Sequence, residues 1–427
     1  MITKKIQLRK ISLIATLVYS TVSLAQQPDL QFYRPNNKEG LNVFESTKKD
    51  TVDYDGVKVR VGGDFAMQFQ GLSQSNEAEN LVELGNNFNL PTANFNIDAQ
   101  LMDGLKLHMR TYMSSRHHVE AWIKGGNIQI DKLDFIKSGF MENVMDFTTV
   151  RIGLDELDYG DAHYRRTDNA RGIFNPFVGN YIMDAFTTEV FGEVTLQKNG
   201  LLGVLGVSNG KLNQNVVVDD NTYNKPSFYG KLGYDKKFGD DFRARLTGSW
   251  YINTGTSTGT WMYGGDRAGA RYYNILETTD GDGGDFDGRY NARFTKITAF
   301  QVNPFIKYKG FELFGIYEIA DGHAEFTNPE DTEGAMTQIA AELIYRFGKK
   351  EQFYVAGRYN EVSGKMRESA TETLNVSRIN AGAGWYLTNN VLVKLEYMNQ
   401  DYNGDAWGGR FAGANFNGLV GEAVISF

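Results

Sequence analysis

The sequence predicts an all-β protein, a transmembrane antiparallel β-barrel of about sixteen strands with short periplasmic turns and long extracellular loops. Three observations carry this prediction. Apolar and polar residues alternate over long stretches, tight turns join pairs of these stretches, and long polar segments join the pairs at their other ends. The 427 residues include 47 glycines and 13% aromatic residues but only 7 prolines, a composition that suits such a barrel.

The alternation is clearest in VKVRVGGDFAMQFQ, residues 57–70. Val59 and Phe65 fall on one face of this stretch, and Arg60 and Gln68 fall on the other. A period of two over about 13 residues is long for a strand of a soluble protein and suits a tilted membrane strand. Sixteen stretches of this kind lie at 57–71, 90–102, 105–113, 118–130, 147–155, 186–197, 201–209, 227–238, 242–253, 292–308, 311–321, 336–347, 352–362, 374–387, 391–401 and 414–427. Fourteen and eighteen strands are the alternatives.

The connections between these stretches differ in length at the two ends of the predicted barrel. Short segments rich in Gly, Asn and Asp, the residues that tight hairpins require, lie at 102–104, 198–200, 239–241, 309–310, 348–351 and 388–390. Long polar segments lie at 72–88, 155–185, 210–225, 254–291, 322–335, 363–373 and 402–412. Outer-membrane barrels have this asymmetry, which predicts that the protein resides in the bacterial outer membrane.

The last predicted strand ends on Phe427. This strand must pair with the first one to close the sheet, because lipid cannot satisfy the backbone groups of an open edge. A terminal aromatic residue after alternating apolar residues resembles the signal that marks outer-membrane proteins for insertion, so the barrel-assembly machinery is an expected partner of Phe427. Aromatic residues beside the short turns, such as Phe347 and Trp385, predict girdles that face outer-membrane lipid and lipopolysaccharide.

Residues 1–25 predict a secretory signal peptide. Four basic residues precede the apolar stretch ISLIATLVYSTVSLA, which ends on small residues. A first transmembrane helix is the alternative, but it would need about 20 apolar residues, and Ser20, Thr21 and Ser23 shorten this stretch. Residues 26–55 are polar and aperiodic and predict a loose N-terminal segment in the periplasm, and residues 56–427 predict the barrel.

Composition excludes several classes of function. Removal of residues 1–25, with four basic and no acidic residues, takes the formal charge from −8 to −12, which argues against nucleic acid as a partner. The chain has no cysteine, so it has neither a disulfide framework nor a thiol nucleophile. The segment GTSTG at 255–259 lacks the strand-turn-helix context of a nucleophile elbow. We therefore predict no enzymatic activity, no cofactor and no metal, although loose calcium binding at the acidic segment 280–288 is an alternative.

Sixteen strands leave room for a water-filled lumen whose side chains set selectivity. The alternation assigns fourteen basic and eleven acidic side chains to this lumen. Arginine suits oxyanions because its planar fork pairs with phosphate or carboxylate and stays charged. The alternative is that these arginines stand opposite acidic residues only to set a transverse field and hydrate the pore. The candidate pore-lining and anion-binding residues are Arg165, Arg166, Arg171, Arg110, Arg151, Arg243, Arg245, Arg358, Arg378, Lys106 and Lys307.

The segment 155–185 follows the fifth predicted strand and contains Arg165, Arg166 and Arg171 together with apolar residues such as Phe174 and Phe177. A long loop with its own apolar content is usually functional. We predict that it folds into the lumen, where its arginines narrow and charge the pore. The alternative is an extracellular loop that caps the barrel and keeps its arginines in solvent.

DGVKVRVGGDFAMQFQG at 55–71, GLLGVLGVSNGK at 200–211, the sixteen-strand layout and Phe427 together resemble the phosphate-selective porin O and P family, in its Bacteroidetes-type form. The resemblance covers about residues 56–427. It implies a homotrimer of general-diffusion or anion-selective channels with basic residues at the constriction. The lumen of this sequence is mixed in charge rather than lysine-rich, which separates it from the phosphate specialists of that family.

These observations predict an outer-membrane porin for passive diffusion of small hydrophilic solutes, with a mild preference for anions such as phosphate or other oxyanions. The alternative is an outer-membrane receptor, adhesin or barrel enzyme that acts through its extracellular loops.

Overall fold

The computed structural model is a closed antiparallel β-barrel. It describes residues 27–50, 52–88, 92–114, 122–165, 171–210, 225–255, 262–263, 272–283, 288–292, 294–324, 334–365 and 370–427. Within these ranges, seventeen strands form one sheet, and all of them except β2 make up a ring of sixteen. The strands are β1 (Lys58–Ser75), β2 (Asn87–Phe88), β3 (Thr92–Met102), β4 (Leu105–Ser114), β5 (Trp122–Ile130), β6 (Thr148–Glu156), β7 (Thr188–Lys198), β8 (Leu201–Ser208), β9 (Ser227–Phe238), β10 (Phe242–Asn253), β11 (Phe294–Tyr308), β12 (Phe311–Ala324), β13 (Gly334–Phe347), β14 (Phe353–Lys365), β15 (Leu374–Thr388), β16 (Val391–Asn403) and β17 (Asn415–Ser426). The predicted barrel of about sixteen strands is confirmed.

The ring closes between β1 and β17. Residues 58–66 of β1 pair with β3, and residues 64–75 pair with β17 on the other side. The backbones of Gly63 and Phe427 exchange two hydrogen bonds of 3.1 Å, which complete the seam. The short strand β2 pairs with Phe69 and Gln70 of β1, beyond the residue at which β3 begins. It therefore covers part of the β1 edge that β3 leaves open.

The wall alternates between an apolar exterior and a polar interior, as β13 illustrates. Ile339 and Leu343 of this strand are 50% and 54% exposed on the outer face. Gln338, Glu342 and Arg346 are almost fully buried on the inner face. Since lipid would contact the outer face, this arrangement suits a membrane-spanning barrel. Arg110, Arg245, Arg358 and Arg378, which the alternation assigns to the lumen, are buried on this inner face.

The short turns have the backbone conformations that their sequences predict. Asn199 and Gly200, between β7 and β8, have φ angles of 55° and 89°. A two-residue hairpin turn requires positive φ at both central residues, which Asn-Gly adopts with little strain. The observed turn therefore explains why Asn-Gly occurs there.

Exposed aromatic residues form a row near the short turns, across β12 to β15. The rings of Phe311 and Tyr345 lie 4.5 Å apart, those of Phe347 and Phe353 lie 5.6 Å apart, and Trp385 continues the row at 5.7 Å from Phe353. Rows of this kind stand at the membrane interface in outer-membrane barrels. They place the short turns at one surface of the membrane.

Helix is scarce in the part of the chain that the structure describes. One helical turn, α1 (Glu142–Met145), lies in the connection between β5 and β6. None of the helices in the described ranges combines the length and the apolar composition of a transmembrane helix. The predicted signal peptide, residues 1–25, lies outside the described residues.

Candidate functional site

The loop between β6 and β7 lies inside the barrel. Its described parts are residues 157–165 and 171–187. The Tyr181 hydroxyl donates to the Glu342 carboxylate at 2.5 Å, and the Ile182 amide donates to the Asn360 side chain at 2.6 Å. Both acceptors are buried on the inner face of the wall. For the described residues of the segment 155–185, the prediction that it folds into the lumen is confirmed.

Two wall glutamates hold this loop together with the loop between β10 and β11. Glu318 accepts hydrogen bonds of 2.9 Å from the hydroxyls of Tyr159 and Tyr263, one from each loop. Glu396 accepts from the Gly179 amide at 2.9 Å and from the Tyr272 hydroxyl at 2.6 Å, again one from each loop. The two loops therefore form one body that is attached through buried carboxylates to β12 and β16, two strands that lie four positions apart in the ring.

Apolar side chains pack the half of the lumen next to the long loops. Val178, Ile182 and Met183 of the first loop and Ile275 and Leu276 of the second are fully buried in one cluster. The described residues of this half therefore form a hydrophobic core rather than the water-filled tube that the strand count predicts. The sequence did not indicate this difference, because the loops are polar on average and their apolar residues are scattered.

Several predicted pore-lining arginines bind the lumen loop instead of facing water. Arg358 donates to Glu342 at 2.8 Å and to the Gly179 carbonyl at 2.7 Å. Arg378 donates to the carbonyls of Asn180 and Gly288 at 2.7 and 2.6 Å. Both side chains are buried. These arginines therefore hold the loop in place and are not free to bind a solute.

Other predicted basic residues are held in ion pairs nearer the short turns. Arg245 pairs with Asp161 at 2.7 Å and Arg243 pairs with Asp235. Lys307 lies 2.9 Å from Glu351. Arg165, in the loop, lies 3.7 and 3.6 Å from the carboxylates of Glu312 and Glu342. Arg166 lies outside the described residues.

The remaining four predicted residues come together around a cavity in the lumen. Lys106, Arg110 and Arg151 project from β4 and β6, and Arg171 from the loop, into a space of about 200 Å³. The cavity lies between the loop and the wall formed by β3 to β7. The structure thus separates the predicted set into residues that line a cavity and residues that anchor the loop.

Several polar atoms at this cavity have no hydrogen-bond partner among the described residues. They include Nε of Arg110, Nε of Arg171, Nε2 of His108 and Oδ1 of Asn96, all of which are buried. An unpaired buried polar group costs about 1–3 kcal/mol. Water or a polar solute in the cavity would remove this cost, so the arrangement is suited to holding a small hydrophilic molecule.

Arg34, which is not among the predicted residues, approaches the cavity from the N-terminal segment. Its Nη2 donates to the Tyr164 carbonyl at 3.0 Å, and its guanidinium lies 4.1 Å from the Phe174 ring centroid. The adjacent aromatic residues Phe32 and Tyr33 were the available signal, because such residues are unusual in a loose polar segment.

Positive charge is crowded at this point. Burial, followed by the nearby charge of Arg171, lowers the pKa of Arg34 to about 9. Burial and then the charge of Arg110 also lower the pKa of Arg171. Mutual repulsion of this kind weakens when an anion lies between the guanidinium groups.

No family model and no curated protein match the sequence. Among solved structures, the anion-selective porin from Comamonas acidovorans matches with a TM-score of 0.52 and 10% identity, over 87% of this chain and 100% of that chain. OmpT, an outer membrane protein of Vibrio cholerae, matches with a TM-score of 0.49 and 11% identity, over 88% and 99% of the two chains. The outer membrane channel DcaP of Acinetobacter baumannii gives 0.48 and 10%, over 88% and 99%.

At these identities the likeness concerns the fold. The chain has the fold of an outer-membrane β-barrel. Its closed ring, its apolar exterior and the aromatic row beside the short turns agree with a location in the outer membrane.

Proposed function

We propose that this barrel is a porin through which small hydrophilic solutes diffuse passively, with a mild preference for anions such as phosphate or other oxyanions. The observation that carries the proposal is the polar lumen cavity with unpaired guanidinium nitrogens on Arg110 and Arg171. A guanidinium with a free N–H at a cavity can donate to a carboxylate or phosphate oxygen. The resemblance to the phosphate-selective porin O and P family supports the same class of solute.

The distribution of partners supports the preference for anions. The cavity is lined by five basic side chains and by five acidic ones: Arg34, Lys106, Arg110, Arg151 and Arg171 against Glu45, Asp98, Asp155, Asp158 and Glu193. Each acidic side chain lies beside a side-chain partner: Arg245, His108, Arg110, Lys231 and Arg151, respectively. Lys106 and Arg34, in contrast, donate to the backbone carbonyls of Phe32 and Tyr164. Cationic groups that are bonded only to neutral carbonyls, beside carboxylates that already have partners, favour anions over cations.

A receptor, an adhesin or a barrel enzyme is the second class of function. Each would act through loops that project from the barrel. Most of the described residues of the two longest loops instead turn into the lumen, where Tyr181, Tyr263 and Tyr272 are almost fully buried, while residues 279–283 are exposed. This placement favours a role in the lumen over a role at the cell surface.

We further propose that the channel is a homotrimer and that Phe427 is the contact for the barrel-assembly machinery. The trimer follows from the family resemblance. The exposed side chains of Trp385, Phe347 and Phe311 are suited to contact outer-membrane lipid and lipopolysaccharide.

Planar-bilayer recording of the refolded protein tests the proposal. We expect stepwise conductance and, under a salt gradient, a reversal potential that favours anions. A reversal potential that favours cations would contradict the anion preference. The absence of conductance steps would contradict the porin.

A further inference from the structure

Residues 31–50, which we call the N-terminal loop, form a closed loop near the short turns. The Gln31 side chain donates to the Val52 carbonyl at 2.8 Å, and the Phe32 amide donates to the Asp50 carboxylate. These two contacts bring the ends of the loop together, although about twenty residues separate them. The segment therefore has a defined shape and is not a loose leader, which differs from the sequence expectation for residues 26–55.

The first part of the loop is attached to one side of the barrel. The Gly104 amide, in the turn between β3 and β4, donates to the Gln31 side chain at 3.0 Å. Asn36 donates to Asp64 of β1 at 2.9 Å. The Lys38 amide then donates at 2.8 Å to the Asn389 carbonyl, in the turn between β15 and β16.

The second part returns along the other side. Asn42 donates to Glu312 of β12 at 2.7 Å, and Glu45 pairs with Arg245 of β10 at 2.6 Å. Lys48 donates to the Thr148 carbonyl of β6 at 2.9 Å. The partners belong to strands or turns distributed around the whole ring. The loop therefore lies across the lumen opening and not along one edge of it.

Phe44 is the apolar centre of this arrangement. Its side chain is 3% exposed. The Phe305 ring of the wall lies 5.3 Å away, the Tyr164 ring of the lumen loop lies 5.7 Å away, and the Arg245 guanidinium lies 4.2 Å from the Phe44 ring centroid. The Phe44 ring is buried between the lumen loop and the barrel wall, which gives the N-terminal loop a fixed position.

We infer that the N-terminal loop is a second constriction element of the channel, an inference that rests on the proposed porin function. Together with the lumen loop it fills the cross-section next to β9, β10 and β12. Passage is thereby confined to the polar cavity beside β3 to β7, to which Arg34 adds its charge. The N-terminal loop, which precedes the first strand of the barrel, therefore helps to set the size limit for solutes and the ion selectivity.

Deletion of residues 31–50 tests the inference, with the refolded protein otherwise unchanged. Conductance depends on the open cross-section, so we expect the single-channel conductance to rise roughly twofold or more relative to the unmodified protein. We also expect larger neutral polymers to enter the channel. Electrophoretic mobility with and without heating reports whether the deletion variant has folded.

A double substitution tests the same point in a chain of unchanged length. Phe44→Ala with Glu45→Gln removes the buried ring and the charge that pairs with Arg245. We expect a higher conductance or frequent transitions between two conductance levels. Thr47→Ala is the matched control, because Thr47 is exposed and bonds only locally to Lys49 among the contacts described.

The outcomes separate the two proposals. If the unmodified protein conducts and both variants keep its conductance and size limit, the constriction is contradicted while the porin stands. If neither the unmodified protein nor the folded deletion variant conducts, the porin and the constriction are both contradicted. A rise in both variants, with Thr47→Ala unchanged, supports the inference.

Discussion

Arg171 and Arg358 differ in how completely their guanidinium groups are bonded. Its Nη2 lies 3.3 Å from Glu156, but its Nε is unpaired and buried at the cavity. Arg358, by comparison, bonds to Glu342 and to the loop backbone. Two arginines that were both predicted to line the pore, one in the lumen loop and one on β14, therefore have different roles, which depend on the groups that lie close to them.

Substitution Arg171→Gln should weaken the preference for anions. The change removes a positive charge from the cavity, so we expect the ratio of anion to cation permeability to fall by roughly twofold. Reversal potentials under a salt gradient measure this ratio. Lys349→Gln, which removes an exposed charge from a short turn, is the control and should change the ratio less. An unaltered ratio in Arg171→Gln would show that this cavity does not set selectivity.

At the scale of elements, the barrel wall and the lumen loops depend on each other. The inner face carries carboxylates and guanidinium groups that would be unpaired without the loops. Glu396 alone accepts from the Gly179 amide, the Tyr272 hydroxyl and the Asn380 side chain. The loops in turn have buried backbone groups that only the wall can satisfy, as the bond from Ile182 to Asn360 shows.

Substitution Glu396→Gln should loosen the lumen loops without opening the ring. A glutamine retains one acceptor oxygen and adds a donor where the loop already presents donors, so we expect a loss of about 1–3 kcal/mol of stability. Denaturant titration of the refolded protein measures it, and limited proteolysis of residues 171–187 reports the loop directly. Glu351→Gln, in an exposed turn, should cost far less. Equal stability of both variants would rule out the anchoring role of Glu396.

At the scale of the whole molecule, the outer wall is uneven. Between β14 and β17 the small residues Ala383, Gly421 and Ala423 lie on the lipid-facing surface and line a shallow apolar depression. Large residues such as Leu205 and Leu232 cover the opposite wall. A second copy of the barrel could approach the backbone more closely at the depression than elsewhere.

The homotrimer is tested most directly by native mass spectrometry in detergent. We expect three copies in the refolded protein, and Ala383→Trp should shift the population toward the monomer because the indole fills the depression. Val207→Trp, on the opposite wall, is the matched control and should leave the trimer intact. A protein that stays monomeric at all concentrations would contradict the assembly.

The sequence predicts the structure well where apolar and polar residues alternate along the chain. The alternation of lipid-facing and interior residues identifies every strand of the ring, and it assigns Arg358 and Arg378 to the interior, where both are buried. It does not identify the partners of those residues, since Arg378 bonds to the carbonyl of Asn180, 198 positions earlier. The N-terminal loop was missed for a similar reason. A polar segment folded into a polar lumen has no periodicity that distinguishes it from one in solvent.

The seam between β1 and β17 bears on the order of assembly. The N-terminal loop is attached to strands all around the ring and leads directly into β1, the strand that the seam joins. Laying such a segment against an open, curved sheet requires less rearrangement than threading it through a finished cylinder. We therefore expect the loop to be in place when the bonds between Gly63 and Phe427 form. The last step of biogenesis would then close the barrel around the segment that lines its lumen.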